Sequence, residues 1–185
     1  MRIAVLALLI LPLLAFTNTP KLKKRKLTDG VTMLLPESFI TMTEEDMKKE
    51  VLTYRQPIVM YKDIQSQGNM ALNISATRWS KNDLGMLQSF YKSTLLSTHS
   101  EVEFIQESIK DIGGNQFAVF EFTSAVKPVR VMLEDKGSLK KYNYIQYTIV
   151  GNKVMIFSFS CPIALRKHWQ GTIKQMMDSA VVKDK

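Results

Sequence analysis

The chain has 185 residues, 45% of them hydrophobic, with a formal charge of +8 and one cysteine. That length suits one domain with a full core and is short for two, and the apolar content excludes disorder as the default state. With Cys161 alone, an intramolecular disulfide and a cysteine zinc site are both excluded.

Residues 1–17 read as a signal peptide. Arg2 precedes an apolar run from Ile3 to Phe16, which is short for a comfortable membrane span, and Ala15 and Thr17 put small residues at the spacing of a cleavage site. An uncleaved anchor is the alternative. The expectation is an exported protein, periplasmic or extracellular. No cysteine lies near the cleavage region, which excludes a lipid-modified N-terminal cysteine. Residues 18–27 hold the basic run Lys21 to Lys26, read as a solvated leader ahead of the domain. The functional alternative is a tether to an anionic membrane surface, since each basic residue gains about 1 kcal/mol there.

A single domain is expected over residues 28–185. Val31 to Leu35 is a short strand stopped by Pro36, with Phe39 as an apolar anchor beyond it. Thr43-Glu44-Glu45-Asp46 resembles a capping box opening a short charged helix to about Val51. Strands follow at Ile58 to Tyr61 and Met70 to Trp79, the second alternating apolar Met70, Leu72, Ile74 and Ala76 with polar Asn73, Ser75 and Thr77. Asp83 is expected to cap a helix over 83–96 whose stripe is Leu84, Leu87, Tyr91 and Leu95. Glu101 to Ile112 is a half-exposed strand, Gly113-Gly114-Asn115 a turn, and Gln116 to Thr123 a strand with apolar residues on both faces.

The stretch from Val126 to Lys141 is irregular and basic, with part of a strand at 129–133. Tyr142 to Cys161 then gives the strongest local signal. Two β-rich runs flank Gly151-Asn152, residues that tolerate the positive φ of a tight hairpin turn. A two-residue loop sets Val150 opposite Lys153. One face then carries Ile145, Tyr147, Ile149, Val154 and Ile156, and the other Tyr142, Tyr144, Met155, Phe157, Phe159 and Cys161. Two apolar faces place the hairpin inside a sheet rather than at its edge. Pro162 opens a last helix marked by Leu165, Trp169, Ile173, Met176 and Ala180.

Tight turns make consecutive strands antiparallel, and interrupting helices make the domain α+β: a twisted antiparallel sheet of about six to seven strands flanked by helices. This order resembles the PsbP-like superfamily, an α/β/α sandwich. The likeness rests on Val31 to Pro36 with Phe39, the Leu84 to Tyr91 helix before Val102 to Ile105, Gly113-Gly114, Tyr144 to Cys161, and Trp169, Ile173 and Ser179 to Val182. It implies a binding or assembly protein more than an enzyme, and DcrB-like envelope proteins are among its members. It carries no functional residue onto this chain.

No catalytic set is legible. Cys161 and His168 lack an orienting third group, and Ser158 and Ser160 lack the glycines of a hydrolase elbow. His99 and His168 are far apart and have no carboxylate cluster, so neither a metal nor a cofactor is expected. Arg130, Lys140, Lys141 and Tyr142 form the most plausible partner-binding surface, because tyrosine offers area with a hydroxyl and the cations attract acidic groups. The expected function is a non-enzymatic exported binding or assembly protein whose partner is a protein or envelope component. Export argues against nucleic acid. The alternatives are an enzyme with a pocket between the sheet and the 83–96 helix, and a membrane-surface protein.

Overall fold

A computed structural model describes residues 20–50, 56–65, 67–126 and 139–183. The central hairpin pairs β8 (Leu139–Val150) with β9 (Lys153–Pro162), in the expected register of Val150 opposite Lys153. Gly151 and Asn152 both hold positive φ, +52° and +62°, which matches the turn to the right-handed twist of the strands.

This hairpin lies inside a seven-stranded antiparallel sheet. On one side of it stand β5 (Gly68–Arg78), β4 (Val59–Asp63) and the two-residue β3 (Ile40–Thr41). On the other stand β7 (Asn115–Val126) and then β6 (Glu101–Ile112) at the edge. As expected, β6 alternates exposed and half-buried residues, with a bulge between Phe104 and Gln106.

Each sheet face has its own core. On the first, α2 (Leu84–Thr98) lays Leu84, Leu87, Tyr91 and Leu95 on Ala118, Phe120, Phe122, Tyr147, Ile149 and Val154. Tyr91 stacks on Tyr147 with ring centroids 4.0 Å apart. The short α1 (Glu44–Glu50) lies over the same face farther along, where Met47 meets Met60 and Ala71. Thr43 caps α1 as expected, its Oγ1 accepting from the Asp46 amide at 3.2 Å. Asp83 does not cap α2 with its side chain. Ser80 instead accepts from the Asn82 amide and opens a single 3-10 turn, Lys81–Asp83, that leads into the helix.

The second face is covered by α3 (Arg166–Asp178) together with a small three-stranded sheet. That sheet sets β2 (Val31–Pro36) between β1 (Leu22–Thr28) and β10 (Val181–Val182). Trp169 is the anchor here. It is fully buried, with Phe39 and Phe159 at 5.5 and 5.3 Å. The strand β1 corrects the expected boundary at residue 28. The basic run is not a leader but an edge strand whose Leu27 enters the core, and its lysines guard an edge that would otherwise pair with other chains.

The turn between β6 and β7 needs glycine. Gly113 has φ +57°, and a Cβ there would lie 2.6 Å from the carbonyl oxygen of Ala180. Just beyond it, Asn115 Nδ2 donates to the Val182 carbonyl at 2.8 Å, so this turn clasps the last strand.

Candidate functional site

Strand alternation separates the four residues expected to form one surface. Lys141 pairs with Ser124 and Pro162, and lies on the face that carries α1 and α2. Its neighbours Lys140 and Tyr142 are on the opposite face. Lys140 is exposed and pairs with Glu101 at 3.5 Å. Tyr142 is fully buried, which corrects its expected place on a surface. Arg130 and the expected strand at 129–133 lie outside the described residues.

The burial of Tyr142 has a polar reason. Its hydroxyl donates to Glu121 Oε1 at 3.1 Å, and Gln170 Nε2 donates to the same oxygen at 2.8 Å. The Lys174 ammonium stands 3.3 Å from Glu121 Oε2 without the alignment of a hydrogen bond. Glu121 exposes no surface, so this ion pair and these two donors offset the cost of holding a carboxylate inside. The group ties α3 to the sheet. Burial, with Glu121 beside it, holds the Tyr142 phenol well above its ordinary range.

The same physics makes Cys161 a poor nucleophile. It is buried, and desolvation pushes its thiol up to about 12, so almost no thiolate exists near neutral pH. His168 sits exposed on α3 with its ring against Trp169. The space between α2 and the sheet is filled by the side chains named above, which removes the pocket expected there. What stays open at one end is a recess of about 170 Å³ lined by Lys81, Leu84, Gly114, Asn115, Gln116, Thr148 and Ile149. Among the described residues, no three His, Cys, Asp or Glu side chains stand close enough to hold a metal, and no helix is long and apolar enough to cross a membrane.

Two further openings lie on the α1 side. A recess of about 380 Å³ is bounded by Ile40, Thr41, Met42, Asp46, Lys49, Lys62 and Ile64. A second, of about 290 Å³, is bounded by Lys62, Gln67, Asn69, Lys141, Ser160, Cys161 and Pro162. Lys62 is the wall they share. Ile40 and Ile64 stand out on the first, 55% and 69% exposed. Sequence reasoning placed only Lys141 in a binding surface here, and weighed Ser160 and Cys161 solely as catalytic candidates. Lys62, Asn69 and Ser160 come together through strand pairing across β4, β5 and β9, and no local pattern marks them.

No protein-family model and no curated protein matches the sequence itself. Solved structures do match in fold. A cyanobacterial PsbP (CyanoP) from Synechocystis superposes with a TM-score of 0.56 at 15% identity, over 89% of this chain and 94% of that one. The Ran-binding protein Mog1p of Saccharomyces cerevisiae superposes with a TM-score of 0.55 at 12% identity, over 89% and 97%. The chain therefore has the PsbP-like fold, an α+β domain built on an antiparallel sheet.

Proposed function

We propose that this chain is a non-catalytic binding or assembly protein, exported to the cell envelope, that engages a protein or envelope component through the open sheet face carrying Lys141. The observation that carries this reading is the contrast between the layers. The cores beneath α2 and α3 are filled with side chains, whereas the α1 side leaves two solvent-open recesses rimmed by exposed isoleucines and lysines. Such a mixture of apolar area and cations suits recognition of another macromolecule more than turnover of a small one. The Ran-binding description of Mog1p supports a protein partner in kind, without naming one for this chain. Export rests on the signal-like residues 1–17.

The test is a pull-down from envelope extracts with the native protein and with a Lys141→Glu variant, Lys140→Glu on the opposite face serving as the charge control. A partner held by the native protein and the control and lost by the Lys141 variant is the expected result. The same proteins captured by the native protein and the Lys141 variant would remove the site. N-terminal sequencing of the cell-fractionated protein tests export: a start after residue 17 in the envelope supports it, and an intact Met1 on a soluble cytosolic protein ends it. Liposome binding that rises with anionic lipid and falls with salt would favour the membrane-surface reading instead.

A further inference from the structure

Strand pairing lines up one row of side chains across this face. Ile40 pairs with Lys62, Lys62 with Asn69, and Asn69 with Ser160. Directly paired residues point to the same side of a sheet, so the row runs apolar, basic, amide, hydroxyl. On the next strand the row reaches Asn143, opposite Ser160, and Lys141 stands two residues along from it on the same face. Crossing from β3 to β8 spans four strand gaps, about 19 Å at ~4.8 Å each. An extended peptide covers that distance with about six residues.

The chemistry along the row is directional. At one end Ile40, Met42 and Ile64 line the larger recess and offer contact to an apolar side chain. That recess also holds Asp46 and Lys49; Lys62 is the wall it shares with the second recess, and Lys141 stands at the other end. Between these ends lies Asn69, whose Oδ1 is buried and accepts no hydrogen bond.

We infer that this row is a docking groove for an extended acidic segment of a partner protein, about six residues long, with one apolar anchor in the Ile40–Ile64 recess and carboxylates against Lys62 and Lys141. The inference rests on the binding reading above and names the chemistry of the partner. Strands β5, β9 and β8 provide a rigid floor, so the groove is preorganised and the peptide bears the ordering cost.

The experiment is selection from a random hexapeptide phage library against the full chain. Isolated peptides are then titrated by fluorescence anisotropy against the native protein, Lys62→Glu, Lys141→Glu and Lys153→Glu. Lys153 lies at the far end of β9 and controls for net charge. The expected result is enrichment of peptides with one apolar residue followed by at least two acidic ones. Binding should weaken about tenfold in each of the Lys62 and Lys141 variants and remain within about twofold in the Lys153 variant. Ile64→Ser should weaken the same peptides with the net charge unchanged. Selection of neutral or basic peptides, or equal losses in all three lysine variants, would overturn the groove. Vesicles of phosphatidylglycerol bound as tightly as the peptides, and lost through the same two lysines, would overturn the peptide specificity. If no peptide is selected while the envelope pull-down still loses its partner in the Lys141→Glu variant, the groove fails and the binding reading stands.

Discussion

Gly68 opens β5 directly beneath Trp169, and the substitution Gly68→Ala measures how tightly that anchor is held. A Cβ at position 68 would lie 2.7 Å from Trp169 Cζ2, 2.9 Å from Cε2 and 3.1 Å from Phe159 Cε2. Carbon atoms are comfortable at ~3.5–4.0 Å, so the indole must retreat by about 0.8 Å. It has no free space to retreat into, since the ring is fully buried with Phe39 and Phe159 packed about it. Overpacking of this kind costs about 1–3 kcal/mol, and ~2 kcal/mol lowers Tm by roughly 4–8 °C in a chain of this size. The matched control is Gly171→Ala on the exposed side of α3, where a Cβ meets nothing within 4 Å. Alanine there gains helix propensity and should raise stability by about 0.5–1 kcal/mol. Thermal unfolding followed by circular dichroism reads both. An unchanged or raised Tm in Gly68→Ala would refute the placement of Trp169 over β5.

Three other outcomes follow from the same packing. Cys161, buried with its thiol raised to about 12, should resist a thiol reagent at about pH 8 in the native protein and react fully in denaturant; rapid stoichiometric labelling of the native state would contradict its burial. Tyr142, Tyr144 and Tyr147 are held above their ordinary 10.0 mainly by desolvation, so the folded state keeps protons that the unfolded chain releases. Stability should therefore be full below about pH 9 and fall as pH rises through 10 and beyond; urea titrations flat from pH 8 to 11 would refute this. Removing residues 20–27 deletes most of β1 and exposes β2, so a chain beginning at residue 28 should unfold at a markedly lower urea midpoint than one beginning at residue 20. Equal midpoints would restore the reading of those residues as a leader.

Legibility followed locality. The β8–β9 hairpin was readable because its turn residues and two-residue period act over a few positions, and register followed from loop length. The stripes of α2 and α3 were readable for the same reason. The strand β1 was hidden because Leu22 and Leu27 are its only apolar side chains, a bulge between Lys26 and Thr28 breaks the alternation, and its lysines are the residues expected of a mobile leader. Tyr142 was misplaced by reading neighbours in sequence as neighbours in space; one step along a strand changes the face. Glu121 carried a visible signal, a single acid between Phe120 and Phe122 in an otherwise apolar run, but its partners come from β8 and α3. The row of Ile40, Lys62, Asn69 and Ser160 could not be seen, since it depends on which strands lie side by side.

The small sheet has a consequence for when the molecule can exist at all. Its middle strand, β2, is joined on one side by the first described strand and on the other by Val181–Val182, which the Gly113 turn then clasps. Two segments separated by nearly the whole sequence must meet before this layer closes over the core. This layer therefore closes through a non-local contact, which is slow to form because the loop-closure entropy must be met before the pairing rewards it.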